Sequence, residues 1–300
     1  MTNAPKKNKG NSQNMKVVLA GAYGKLGVEI LKELVKQGYE VVAANMVEKE
    51  VQDLDTSKVT FKKINVTDKA TLDGLCEGAK VVISTVGLTT SSATISNYDI
   101  DYKGNLNILE EAKKSDVKHF VYISVIRADE AEDVPMVHAK FLFEEELKKS
   151  GITYVIHRPT GYFYDIVKVF RPMIESGKVS LLGKKDVSAN VIDTTDFAEF
   201  IVKSMLDENK LYNVGGKEVY TYRQIAEMCF EAAGVKGKIS SAPAWLFTVL
   251  ANLPKNKKNG KWAVIRFSKF TLTHDMVGDT MYGEKSFKQY IKDSFVKGNK

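Results

Sequence analysis

The chain has no apolar run of about 18 residues, so its hydropathy offers no membrane-spanning helix. The most apolar late stretch, residues 242–253, is too short and is bounded by Pro243 and Pro254. Cysteine is scarce: Cys76 and Cys229 are the whole complement, and neither stands at a metal-ligand spacing. Two lone thiols do not make a disulfide framework, which points to a reduced, cytoplasmic protein. The four histidines are scattered, so no metal site is expected. The first residues, MTNAPKKNKGNSQN, lack the apolar core of a signal peptide, and residues 1–15 read as a disordered tail.

What is present is ordinary for a globular protein of 300 residues, with 44% hydrophobic and 27% charged residues. The net charge of +7 is unevenly placed. Residues 251–300 hold eleven Lys and Arg against four acids, an excess equal to that of the whole chain. A solvated basic surface is the simplest reading. An acidic membrane surface or nucleic acid are the alternatives, and nucleic acid is not favoured.

Strand and helix patterns alternate from Lys16 to Pro159, the mark of a parallel sheet with crossover helices. Strands are expected at residues 16–20, 40–45, 59–64, 80–85, 119–124 and 153–157, and helices at 26–37, 105–114 and 141–149. Beyond Pro159 short strands at 190–192 and 211–214 flank a helix at 196–206, and another helix covers 222–234. The expected fold is α/β, a Rossmann-like, doubly wound parallel sheet of about seven strands with a smaller C-terminal substrate lobe. Residues 16–160 would bind NAD(P), 189–216 would return to that sheet, and 161–188 with 217–300 would form the lobe. That lobe is rich in Phe, Tyr and Trp, which suits a small, partly apolar substrate.

A strand, then Gly21-Ala-Tyr-Gly24-Lys-Leu-Gly27, then a helix is the context that gives a glycine pattern meaning. Gly21 permits the sharp turn, Gly24 clears a path for a pyrophosphate, and Gly27 lets helix and strand approach. Tyr23, Lys25 and Leu26 complete the loop, whose amides and helix dipole attract phosphate. The second strand ends at Asn45 and Met46, with no carboxylate to read a ribose 2′-hydroxyl. Lys25 and Lys49 could reach a 2′-phosphate, so the cofactor leans toward NADP, with NAD as the alternative.

Gly21–Gly27, Asn65-Val-Thr-Asp68, Ile83-Ser-Thr-Val-Gly87, Asp101-Tyr-Lys-Gly-Asn105, Phe120-Val-Tyr-Ile-Ser124, Lys140-Phe-Leu-Phe-Glu144, Arg158-Pro-Thr-Gly161, Asp193-Thr-Thr-Asp196 and Tyr212-Asn-Val-Gly-Gly216 together resemble the atypical, NmrA-like branch of the short-chain dehydrogenase/reductase superfamily. The resemblance covers about residues 16–216 and thins out beyond them. It implies that Asp68 lies near the adenine, Val86 and Gly87 near ribose and pyrophosphate, and Pro159, Thr160 and Gly161 near the nicotinamide. Asp68 has an equal claim to cap a helix starting at Lys69.

Most members of that superfamily carry Tyr-x-x-x-Lys on one helix. Lys140 matches the lysine, which would bind cofactor and serve catalysis, but Met136 stands where the tyrosine belongs. A thioether has no proton to give. His138 lies about 200° around the helix from Lys140 and should point elsewhere. Tyr162 or Tyr164 could supply a phenol, or simply pack. Ser124 could place a hydroxyl beside the substrate, or simply end its strand. Reduction of a polarised C=C needs hydride and can draw its proton from solvent or Lys140. The residues therefore suit an NAD(P)H-dependent oxidoreductase reducing a small carbonyl or conjugated C=C substrate. A non-catalytic, NmrA-like redox sensor or scaffold with a protein partner is the alternative.

Overall fold

A computed structural model of the protein describes residues 15–88, 94–183, 186–254 and 261–296. The expected tail at residues 1–15 lies almost wholly outside them.

The first half alternates as its sequence pattern demands: β1 (Lys16–Ala20), α1 (Lys25–Lys36), β2 (Glu40–Asn45), β3 (Val59–Lys63), β4 (Val81–Ser84), α2 (Asn105–Lys114), β5 (His119–Ile123), α3 (Pro135–Lys149) and β6 (Thr153–Pro159). The second half adds α4 (Phe163–Glu175), β7 (Lys178–Leu182), β8 (Ser188–Ala189), α5 (Thr194–Ser204), β9 (Lys210–Gly215), β10 (Tyr220–Thr221) and α6 (Tyr222–Ala233). It ends with β11 (Lys238–Ala242), α7 (Trp245–Asn252), α8 (Lys261–Thr273), β12 (Thr280–Met281) and α9 (Phe287–Val296).

Eight strands form one parallel sheet in the order β12-β9-β6-β5-β4-β1-β2-β3. The count exceeds expectation by one because β12 is only two residues long, too short for periodicity to register. Another difference falls at residues 190–192. The strand there is β8, at Ser188–Ala189, and Ile192 makes only an isolated bridge to Tyr162. The polypeptide reverses sheet direction between β2 and β4, which flank β1, and this opens a crevice at the carboxyl ends of the central strands.

Both faces of the sheet are covered, so its central strands read as unbroken apolar runs. Leu26, Ile30, Leu31 and Leu34 of α1 pack with Phe197, Ile201 and Val202 of α5 over one face. Ile108 and Leu109 of α2 pack with Phe143 and Leu147 of α3 over the other. A separate core, built on Phe163, Phe170, Ile225, Phe230 and Phe287, holds α4, α6 and α9 together as the smaller lobe. Thr221 and Gln224 close a capping box at the start of α6.

One buried group ties stability to pH. His157 of β6 is fully buried, hydrogen-bonded through Nε2 to Ser204 Oγ at 2.8 Å and stacked on Tyr212. Burial pulls its pKa from 6.5 to about 3, so the folded protein keeps the imidazole neutral. The unfolded chain takes up a proton below pH 6.5 and the folded one does not. The stabilisation is therefore full above that pH and drains away as pH falls toward 3. Between pH 6 and 5 the wild type should lose about 1 kcal/mol more than His157→Gln, as read by urea titrations at each pH.

Candidate cofactor and active site

The glycine loop opens from β1 into the crevice. Gly21 sits at φ +83°, and a Cβ there would stand 2.4 Å from Thr85 Oγ1. At Gly27 a Cβ would stand 2.1 Å from the Gly21 carbonyl oxygen, so only glycine lets α1 approach the loop this closely. Gly24 is different. It is exposed, its backbone is ordinary (φ −71°, ψ 165°), and an added Cβ would meet nothing nearer than 3.4 Å. It caps α1 without a side chain, leaving first-turn amides of Lys25, Leu26 and Gly27 with no carbonyl inside the helix. The loop is a cradle of bare amides at the positive end of a helix, which fits a diphosphate.

Its neighbours are tied down. Thr85 Oγ1 donates in a shared geometry to the carbonyls of Ala20 and Gly21 at 3.1 Å each, joining the ends of β1 and β4. Tyr23 is buried against Phe61, and its carbonyl lies 3.4 Å from Lys49 Nζ. Asn45 Nδ2 donates to the Val47 carbonyl, while Met46 is 61% exposed at the tip of β2. Lys25, by contrast, lies over the Tyr164 ring at 3.9 Å. Tyr164 follows β6, on the opposite side of β1 from β2, so the Lys25 ammonium points away from the adenosine end. Lys49, the other lysine considered for a 2′-phosphate, stands on the β2 side of the loop. Asp68 caps a short helix at Lys69–Leu72, its Oδ1 accepting from the Ala70 amide.

At the other end of the crevice Lys140 is held by groups that the sequence motifs contain but to which they gave no role. Its Nζ donates to the Ile123 carbonyl at 3.2 Å and lies 3.2 Å from Oδ1 of the fully buried Asp101. Asp101 belongs to a wide helical turn, Tyr98–Gly104, that runs into α2. Its Oδ2 accepts from the Leu88 amide and from Asn97 Nδ2. Asn105 is buried too, accepting from Ser84 Oγ at 2.6 Å and donating to the carbonyls of Val86 and Asp101. These bonds lock the loop after β4 against α2. Gly87 in that loop is exposed, and a Cβ there would stand 2.7 Å from Asp101 Oδ1 and 3.0 Å from Lys140 Nζ.

Ser124 follows Ile123 directly. Its side chain is 4% exposed, and among the described residues its Oγ has no hydrogen-bond partner. A buried hydroxyl left unsatisfied is costly, and this one lies at the end of β5, one residue past the carbonyl that holds Lys140. Met136 and Lys140 share the half-buried face of α3. His138 turns from it to the Tyr98 hydroxyl, 3.0 Å from Nδ1.

Tyr162 does not join Lys140. It stacks on Tyr164 at 5.6 Å and packs against Phe197, in the α1–α5 layer, across the sheet from α3. Burial pushes its phenol well above the ordinary range, which suits a packing aromatic. Pro159, Thr160 and Gly161 end β6 beside the crevice. Thr160 Oγ1 is spent on the Asn190 carbonyl at 2.8 Å, leaving backbone as what this turn offers, and Gly161 needs its φ of +136°. Burial lifts the thiols of Cys76 and Cys229 to about 12, so neither is a nucleophile at neutral pH. Among the described residues no group of His, Cys, Asp and Glu is placed to hold a metal, and no helix is long and apolar enough to cross a membrane.

A family model described as NAD(P)H-binding matches residues 21–208, more than half of the chain. The chain belongs to that NAD(P)H-binding family. The match begins at Gly21 and runs through β9's approach, taking in the glycine loop, Gly87, Ser124, Lys140 and the turn after β6. The chain is 27% identical over 234 residues to the Photosystem II assembly factor Ycf39 of Synechocystis sp., covering 76% of this chain and 71% of that protein. It is 28% identical over 262 residues to the chloroplastic divinyl chlorophyllide a 8-vinyl-reductase of Arabidopsis thaliana, covering 77% of this chain and 60% of the reductase. In fold it is similar to an NADPH-dependent quinone oxidoreductase of Escherichia coli, with a TM-score of 0.71 at 18% identity over 93% of this chain and 99% of the other.

Proposed function

We propose that the protein is an NAD(P)H-dependent reductase of the atypical, NmrA-like short-chain type, acting on a small, partly apolar carbonyl or conjugated C=C substrate. The observation that carries this reading is the Lys140 ammonium, held on the Ile123 carbonyl one residue before the unpartnered Ser124 hydroxyl and close to Gly87. Gly21–Gly27 would hold the diphosphate, Lys49 a 2′-phosphate, and Pro159–Gly161 the nicotinamide end. When bound, the reduced cofactor supplies hydride. Lys140 would hold ribose and substrate oxygen by charge, and Ser124 Oγ would donate to or accept from the substrate. Met136 leaves no fixed acid where an alcohol oxygen would need one. That favours reduction of a polarised double bond, whose proton can come from solvent or from Lys140. The named activities of two relatives, a vinyl reductase and a quinone oxidoreductase, are of that kind.

The alternative is a non-catalytic sensor or scaffold that binds the cofactor and a protein partner. Met136 supports it, as does the similarity to an assembly factor. One experiment separates the two. NADPH and NADH are titrated separately, and quinones, enones and aldehydes are then screened for cofactor oxidation with wild type and Lys140→Ala. Turnover with at least one of these classes, lost about 100-fold in Lys140→Ala while NADPH still binds, is the expected result. Cofactor binding with no oxidation by any of them would leave the sensor.

A further inference from the structure

From Ala232 to His274 the chain contains no Asp or Glu, while it contains eight Lys and Arg. The helices α7 and α8 lie within this stretch and pack on each other as a hairpin, with the small buried Ala251 and Ala263 contributed one by each helix. On α7, Trp245 and Val249 stand one turn apart, one above the other, and are 61% and 52% exposed, and Leu253, just past the helix end, is 44% exposed. Leu246 widens the stripe. A helix whose outward face is apolar, in a segment with charge of one sign only, is built for a surface that is apolar inside and negative outside.

We propose that the α7–α8 hairpin is a docking surface for an anionic lipid bilayer. The stripe headed by Trp245 sinks into the headgroup boundary, where an indole is favoured, and Lys261 and Lys269 of α8 meet the lipid phosphates. The hairpin lies on the membrane and does not cross it. Nucleic acid would satisfy the charge but has no use for the stripe. A protein groove would satisfy the stripe but does not explain forty-three consecutive positions without a carboxylate. Arg266 of α8 donates to the Asp133 carbonyl at 2.8 Å, just ahead of the helix that bears Met136 and Lys140. Docking therefore sets that helix's start close to the bilayer. If the reductase reading holds, this is the side from which an apolar, lipid-dissolved substrate would arrive.

The full-length protein, saturated with NADPH, is sedimented with phosphatidylcholine vesicles and with vesicles in which about a third of the lipid is phosphatidylglycerol. Retention on the anionic vesicles should exceed that on the neutral ones by about ten-fold. It should fall at least about five-fold in Trp245→Ser/Val249→Ser, with NADPH affinity unchanged as the control for folding. In a Trp262→Phe background, Trp245 emission should shift to the blue when anionic vesicles are added. No retention, equal retention on neutral lipid, or retention untouched by the double substitution overturns the proposal. So does equal retention on heparin that the double substitution leaves intact. None of these outcomes bears on the reductase reading, which is decided by oxidation of a soluble quinone or enone.

Discussion

Gly24→Asp should abolish binding of NADPH and NADH while making the protein slightly more stable. The two effects have one cause. Gly24 occupies the N-cap of α1 with no side chain, and its backbone and surroundings accept a Cβ without strain. Aspartate is among the best N-cap residues, because its carboxylate accepts from the free first-turn amides and opposes the helix dipole. The gain over glycine is about 0.5 kcal/mol, visible as a small rise in Tm. Those amides are the groups a diphosphate needs. A carboxylate in their midst satisfies them and repels the ligand. Two unit charges about 4 Å apart at an effective dielectric constant near 20 repel by about 4 kcal/mol, or about a thousand-fold in affinity. Gly24→Ala adds the Cβ without the charge and should lose far less, which separates crowding from electrostatics. Calorimetric titration of the three proteins checks the prediction. Native NADPH affinity in Gly24→Asp would mean that the diphosphate lies elsewhere.

That the loop could be read from sequence reflects how local its physics is. A strand end, three glycines and a helix start lie within a dozen residues, and the geometry displays a steric duty for Gly21 and Gly27, while Gly24 leaves the helix start uncapped. Strands β1, β4 and β5 were legible for a similar reason: buried on both faces, they are nearly continuous apolar runs. Spacing alone put Met136 and Lys140 on one helical face. The partners of Lys140 were not legible, because they come from elsewhere in the chain. Asp101 and Asn105 lie in a motif the sequence reading noticed, yet nothing local says that their side chains turn inward to hold Lys140 and the loop after β4. The direction of Lys25 was not legible for the same reason, since Tyr164, more than a hundred residues away, decides it. β12 was missed because two residues carry no period, and its pairing with β9 is set by the lobe that delivers it. Tyr162 looked like an acid because it follows the right strand. Only the packing against Phe197 shows which side of the sheet receives it.

Arg158→Met should destabilise the fold by about 3–5 kcal/mol, the largest single effect on stability expected in this chain. Arg158 on β6 is buried and meets Glu144 of α3 through two bonds, Nε to Oε1 at 3.0 Å and Nη2 to Oε2 at 2.7 Å. Glu144 is wholly buried, and its other cationic neighbour, Lys148, stands at 3.9 Å. Removing the guanidinium strands a carboxylate in apolar surroundings, where desolvation is not repaid. Arg158 Nη1 also reaches Asp129 at 2.7 Å, in the segment that follows Ser124. Asp129 is half exposed. Burial alone would raise its pKa, but a backbone amide and the Arg158 charge hold it low. Asp129→Asn should cost no more than about 1 kcal/mol, because water can serve the exposed end of that bond. The pair itself contributes little beyond compensating its own burial, so Arg158→Met/Glu144→Met should recover most of the loss. Urea unfolding of the two single variants and the double variant tests this. Single variants as costly as the double would show that packing volume, rather than an abandoned charge, is what β6 and α3 require of these positions.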